Sequence, residues 1–375
     1  MPPSAALAER HRRLRQALTT QAVDALVITS LPNIRYLTNH NGSAGVLVAT
    51  TTAMHLIVHG VYTESVRVRQ RTAEACPDLT LHDVPASYEA ATLDTLAGLG
   101  VANVGFEAAH VSVSRHTWWA KTIAAQGLAI DLRPTEGVVE SARVVKDANE
   151  IDTLRHAAGR LTPVTSAVLK ALRVGMTERE LAGVIEAEIR AAGYERLAFD
   201  PIVASGPNAA LPHYRAGDRV IAEGDMVVLD FGGVLDGYCS DLTRTVSVGE
   251  PSDELRRVYG AVLDAQQAAI QAIRPGMATA AVDAAARDVL TERGLGEAFG
   301  HGTGHGLGLE IHEDPRLTRA ASHAPTALEA GMVTTVEPGA YVPGWGGVRI
   351  EDDILVTANG YEILTNVPRH LQVVG

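Results

Sequence analysis

Apolar positions along this chain change their period several times, and each change marks an element. Leu7, Leu14 and Leu18 recur at helical spacing within a charged stretch and predict an opening helix. Residues 25–29 form a short apolar run, read as a buried strand that ends at Leu31-Pro32-Asn33. Val46-Leu47-Val48-Ala49 and His55-Leu56-Ile57-Val58 flank a threonine-rich turn and predict a hairpin. Residues 101–106 read as another strand, followed by a helix carrying Trp118 and Trp119. Strands and helices in alternation predict a small α/β domain. Arg133-Pro134-Thr135-Glu136-Gly137 interrupts that pattern, and a long helical stretch begins near Lys146-Asp147-Ala148. These changes place a domain boundary at about residue 135, giving units 1–135 and 136–375.

The second unit carries an internal repeat. Leu172-Arg173-Val174-Gly175-Met176-Thr177 recurs as Ile273-Arg274-Pro275-Gly276-Met277-Ala278, each between two helix-patterned segments. Thr177 and Glu180 have the spacing of a capping box. Further on, Gly224 stands six residues before Asp230, and Gly331 stands six residues before Glu337. Two matches in the same order predict two similar α+β halves that face one another across a shared site.

The hydrophobic pattern also isolates acids. Asp230 ends the apolar run Met226-Val227-Val228-Leu229, and Glu337 ends Met332-Val333-Thr334-Thr335-Val336. Asp241 and Glu351 stand at the far ends of the turn-rich links that follow, and His305 lies in a glycine-rich string between the two halves. A carboxylate buried beside a core strand costs several kcal/mol unless a partner neutralises it. Four of them converging call for about four positive charges, which two divalent cations supply. Carboxylate and imidazole without thiolate suit manganese first, with cobalt, zinc or iron as alternatives. Such a pair of ions, about 3.5–4 Å apart, lowers the pKa of water and polarises a carbonyl, so hydrolysis is the expected reaction. Glu337 is expected to act as metal ligand and general base. Arg349, two residues before Glu351, is placed to hold a carboxylate ligand from behind. His213, His301 and His312 are the further histidines near these acids, and the strand-like residues 307–311 end at His312.

Composition narrows the class. The chain has 375 residues, enough for two cores, and 46% hydrophobic residues to fill them. Its net charge of -12, with no basic tract, argues against nucleic acid or an anionic membrane as partner. The two cysteines, Cys76 and Cys239, stand far apart and imply neither a disulfide framework nor a thiolate site, which fits a reducing cytoplasm. The charged N-terminal stretch does not read as a secretion signal, and no segment approaches the ~20 apolar residues of a membrane span.

At these residues the chain resembles a known family. Gly304-His305-Gly306-Leu307-Gly308-Leu309-Glu310-Ile311-His312-Glu313 is similar to the signature of the proline peptidases, the aminopeptidase P and prolidase family of pita-bread metallopeptidases. Val228-Leu229-Asp230-Phe231-Gly232, Ser240-Asp241-Leu242-Thr243-Arg244-Thr245, Val336-Glu337-Pro338-Gly339 and Gly347-Val348-Arg349-Ile350-Glu351-Asp352 resemble its other blocks in order and spacing. The resemblance covers residues ~140–370 and, more loosely, the first unit through residues 33–38 and 42–45. Asn39-His40 departs from the family's usual Gly-Phe.

The resemblance implies a pita-bread catalytic domain behind a smaller α/β domain. It also implies five metal ligands (Asp230, Asp241, His305, Glu337, Glu351) and cleavage of the N-terminal Xaa–Pro bond of peptides by a metal-bridging hydroxide. It gives His213, His301 and His312 roles in binding substrate and stabilising the tetrahedral intermediate, and suggests a homodimer. Arg316 resembles the residue that receives a free proline carboxylate in archaeal-type prolidases. Short aminopeptidases also carry Pro-Arg there, however, and residues 42–45 with His213-Tyr214 lean toward aminopeptidase P. Methionine aminopeptidase shares the catalytic fold without such a first domain, and creatinase-like relatives have lost metal ligands that this chain keeps. A non-catalytic peptide-binding relative is the reading from a different class.

Overall fold

The computed structural model describes residues 1–319 and 326–375. The chain divides into two compact units, Met1–Arg143 and Val144–Gly375. That division falls later than the boundary expected near 135, because Arg133-Pro134-Thr135 is no break: it belongs to an edge strand. Proline is tolerated there because an edge residue need not donate to a ladder.

The first unit is a six-stranded mixed sheet of β1 (Ala25–Ile28), β2 (Val46–Thr50), β3 (Met54–Val58), β4 (Leu79–Asp83), β5 (Asn103–Glu107) and β6 (Asp131–Thr135), in the order β4-β3-β2-β1-β5-β6. The opening helix Ser4–Thr20 buries Leu7, Leu14 and Leu18. The hairpin β2–β3 and the helix Val113–Gln126, with Trp119 buried and Trp118 exposed, form as the pattern predicts. Leu31-Pro32-Asn33 differs from expectation. It opens the helix Leu31–Thr38, since proline lacks only an N–H that the first helical turn leaves unused anyway.

The second unit contains the two halves. Its first helices, Ala148–Ala171 and Glu178–Ala191, both start at capping boxes, Asp147/Glu150 and Thr177/Glu180. Strands β7 (Arg196–Leu197), β8 (Ile202–Ser205), β9 (Met226–Phe231), β10 (Gly233–Leu235), β11 (Tyr238–Cys239) and β12 (Leu242–Val248) follow. The second half has helices Asp253–Ala272 and Thr279–Glu292. Its strands are β13 (Gly304–Gly306), β14 (Glu313–Leu317), β15 (Val333–Val336), β16 (Gly339–Val342), β17 (Gly346–Arg349), β18 (Asp352–Thr357) and β19 (Gly360–Ile363), and β20 (Gln372–Val374) closes the chain. The main sheets run β20-β12-β9-β8 and β14-β13-β15-β18-β19. Residues 307–311, expected as a strand ending at His312, are instead part of an irregular link between β13 and β14.

The repeat is visible bond by bond. Gly175 N–H donates to Ile221 O and Ile221 N–H to Met176 O. In the second half Gly276 N–H donates to Leu328 O and Leu328 N–H to Met277 O. Gly224 N–H donates to Val248 O, as Gly331 N–H does to Val356 O. All four glycines have φ between 81° and 95°, a left-handed region that a side chain rarely enters. The recurring glycines are therefore demanded by the turns.

Candidate metal centre and active-site cavity

Each half delivers two acids by the same construction. Asp230 lies near the end of β9, and Asp241 immediately precedes β12, which pairs antiparallel with β9. Glu337 immediately follows β15, and Glu351 immediately precedes β18, which pairs antiparallel with β15. The intervening hairpins β10–β11 and β16–β17 carry the chain away and return it. All four acids, with His305 on β13, line one cavity of about 510 Å³, a size that suits a small peptide.

Asp241, His305 and Glu351 offer ligand atoms within 4.8 Å of one another and are all buried. Glu337 joins them through its Oε1, 3.3 Å from His305 Nε2. The imidazole is aimed by its other nitrogen: His305 Nδ1 donates to Gly306 O at 3.0 Å, which leaves Nε2 bare toward the acids. Glu351 Oε2 accepts from Thr243 Oγ1 at 2.6 Å, and Glu337 Oε1 accepts from Thr335 Oγ1 at 3.2 Å. Asp241 N–H donates to Asp353 Oδ2 at 3.1 Å. Asp230 Oδ1 and Asp241 Oδ1 are buried without any hydrogen-bond partner. A buried carboxylate oxygen without a donor is costly, and a cation removes that cost. The donor set fits divalent metal.

The titration behaviour agrees. Burial raises Asp230, and burial together with Glu351 and Asp230 raises Asp241 well above the usual range. Burial, then Glu337 and Asp230, do the same to Glu351, while Glu337 is pushed up to about 7 by burial and Asp230. Burial pushes His305 down to about 3, helped by His312 and Arg316, so its ring is a neutral donor of a lone pair. One cation, Arg349, is buried among these acids. Its Nη2 meets Asp230 Oδ2 at 2.5 Å, its Nε donates to Thr243 Oγ1, and its Nη1 donates to Tyr341 OH at 2.8 Å. Burial works against its charge, but Tyr341, Asp230, Glu337 and Glu351 hold its pKa well above the ordinary value.

The remaining histidines reach the cavity by different routes. His312 projects from the 307–312 link, its ring edge-on to His305 at 4.5 Å between centroids. His213 sits on an exposed loop whose base is tied down by Glu178, a fully buried acid that accepts from Ser205 N, Ser205 Oγ and Asn208 Nδ2. His301 has both nitrogens engaged: Nδ1 donates to Gly302 O and Nε2 accepts from Tyr341 OH. Its backbone is held by Arg287, which donates to His301 O while paired with buried Asp283. Arg316 stands opposite His305 across the β13–β14 register, so its guanidinium shares the cavity face. Arg215 also lines the cavity. Among the described residues, no carboxylate pairs with Arg215 or Arg316.

Sequence reasoning missed Thr243, Thr335, Tyr341, Asp353, Glu178 and Asp283. Thr243 and Thr335 had a signal, since each stands two residues from an acid and so shares its strand face. Glu178 and Asp283 had none, because they act on loops far away in sequence.

A duplicated sheet-and-helix unit whose halves deliver carboxylates and a histidine to one cavity defines a metallohydrolase class of fold. Residues 152–358 match metallopeptidase family M24, and residues 10–145 match the creatinase/prolidase N-terminal domain. The chain belongs to metallopeptidase family M24, with a pita-bread domain that follows an N-terminal domain in the sequence. It is similar to the uncharacterized peptidase YqhT of Bacillus subtilis, at 39% identity over 359 residues, 96% of this chain and 98% of that protein. Among solved structures it resembles the Xaa-Pro dipeptidase from Bacillus anthracis, with a TM-score of 0.91 and 38% identity over 98% of this chain and 100% of that one. It also resembles the X-Pro aminopeptidase from Thermotoga maritima MSB8, with a TM-score of 0.86 and 34% identity over 96% of this chain and 100% of that one. No helix among the described residues is long and apolar enough to cross a membrane.

Proposed function

We propose that this chain is an exopeptidase that hydrolyses the bond between an N-terminal residue and a following proline, with dipeptides as its preferred substrates. The observation that carries the reaction class is the pair of buried, partnerless oxygens on Asp230 and Asp241, two acids that line one cavity with Glu337, Glu351 and His305. Asp230, Asp241, His305, Glu337 and Glu351 would hold two divalent cations, manganese first among them, which supply Lewis-acid polarisation of the scissile carbonyl and an acidified water.

The chain's own groups do the rest. Glu337, with a carboxyl near 7, takes the proton of the attacking water and returns it to the departing proline nitrogen. His312, whose pKa burial and Arg316 lower, is a neutral imidazole that donates a hydrogen bond to the developing oxyanion. His213 reaches the same cavity from the opposite loop and steadies the carbonyl before attack. His301, held through Tyr341 by Arg349, walls the substrate with its ring.

Arg316 alone fits either subtype, and it is the presence of a second cation, Arg215, in the same cavity that supports the dipeptide preference. Two cations without acid partners in the cavity suit the free carboxylate that a dipeptide's proline carries. Tyr214 weighs less than its sequence position suggested, because its hydroxyl is already bonded to Asn208 Nδ2 at 2.9 Å. Aminopeptidase P is the second reading, favoured by the likeness to the Thermotoga maritima enzyme over nearly the whole chain.

The test is amino-acid release by manganese-loaded protein from an Xaa-Pro dipeptide and the matching Xaa-Pro-Xaa tripeptide, repeated with Arg316→Met. Dipeptide preference that Arg316→Met removes is the expected result. Tripeptide preference in the wild type selects aminopeptidase P, and no release from either substrate by metal-loaded protein rejects both.

A further inference from the structure

Lys146 and Glu313 form an ion pair that is almost entirely buried, with side chains 1% and 6% exposed and a 3.2 Å separation. Burying both charges carries a desolvation cost that their attraction offsets only with good geometry and further hydrogen bonds, so such a pair is weak as a source of stability. Its surroundings show a different use. Lys146 is stitched to the second half by its backbone, with Lys146 N–H donating to Gly331 O, and its ammonium also donates to Val144 O. Glu313 Oε1 accepts from Glu310 N at 3.0 Å, and Gly308 N–H donates to Glu310 O. A Cβ on Gly308 would lie 2.8 Å from the Glu313 carboxylate, so the link folds around that acid. The residue immediately before Glu313 is His312, whose ring packs on His305.

We propose that Lys146 and Glu313 are positioning residues for His312. The ammonium fixes the Glu313 carboxylate, the carboxylate fixes the backbone of residues 308–310, and that backbone sets where the imidazole stands over the cavity. The inference rests on the reading that His312 contacts the substrate in the transition state.

The test is a kinetic cycle with Glu313→Gln, Lys146→Met, His312→Ala and the double variants with His312→Ala, each with metal content measured. Displacing a catalytic donor by about 1 Å costs on the order of 100-fold in rate. Glu313→Gln and Lys146→Met are therefore expected to lower kcat 10- to 100-fold with KM and metal content near normal. In the His312→Ala background the same substitutions are expected to cost less than threefold, because the group they position is gone. Equal losses in both backgrounds would show a general structural role and overturn the proposal, as would unchanged kcat in folded Glu313→Gln.

Failure of the functional reading is distinguishable, since it appears as a wild type without turnover. The His312 ring resonances of the zinc-loaded protein then give the answer. Resonances that shift or broaden in Glu313→Gln support positioning, and resonances identical to wild type overturn it.

Discussion

Thr243 Oγ1 donates to Glu351 Oε2 at 2.6 Å, so a residue of the first half holds a site acid of the second. The same hydroxyl accepts from Arg349 Nε at 3.1 Å, and Arg349 in turn grips Asp230. One threonine thus connects acids from both halves, and without it Glu351 keeps its burial but loses a donor. Thr243→Val preserves shape and is expected to weaken divalent-metal binding 10- to 100-fold with the fold intact. Titration against a competing chelator measures this, and unchanged affinity would show that the hydroxyl does not hold the site.

Asp241 separates stability from activity. Its carboxyl is raised well above the usual range by burial, then by Glu351 and Asp230, so in the metal-free protein its charge is a burden. Asp241→Ala is expected to abolish hydrolysis and reduce bound metal, yet leave the metal-free protein at least as heat-stable as wild type. Residual wild-type activity after complete metal depletion contradicts the metal mechanism.

The pH dependence of the metal-free protein follows from Glu337. Its carboxyl stands at about 7 in the fold, against an ordinary value of 4.5. The folded state therefore binds more protons between these values, and stability is lost as pH rises through that window. Chelator-treated protein is expected to lose on the order of a few kcal/mol between pH 5 and pH 8. Metal-loaded protein is expected to change less, because ligation favours the deprotonated acids. Thermal melts at both pH values decide it, and a metal-free melting temperature that rises with pH would contradict the assignment.

His312 and His305 touch but have different tasks. His312→Ala is expected to lower kcat on the order of 100-fold while metal content stays normal. His305→Ala is expected to lose metal, because Nε2 of His305 faces Asp241 and Glu337. Loss of metal on removing His312 would make it a ligand instead.

Gly308 offers a check on packing around the loop. A methyl group there meets the Glu313 carboxylate at under 3.0 Å, and that carboxylate is buried against Lys146. Gly308→Ala is expected to cost about 1–3 kcal/mol of stability by overpacking and to slow turnover. Chemical denaturation alongside the peptide assay reads both.

Local pattern was enough for much of this protein. An acid at the end of an apolar run is anomalous, so Asp230 and Glu337 stood out, whereas Asp241 and Glu351 were legible only together with them, at matching places in the two halves. The glycine repeat was legible because left-handed turns leave little choice of residue. Pattern failed where the partner lies elsewhere in the fold. Arg133-Pro134-Thr135 read as a break because nothing local says that β6 is an edge strand, and residues 307–311 read as a strand because apolar alternation cannot reveal that the link wraps around Glu313. Only the tertiary structure decided that Thr243 belongs to Glu351, that Tyr341 occupies His301, and that Lys146 meets Glu313. These contacts join residues far apart in sequence, and a hydrogen bond depends on where two atoms end up, which residue type and spacing do not carry.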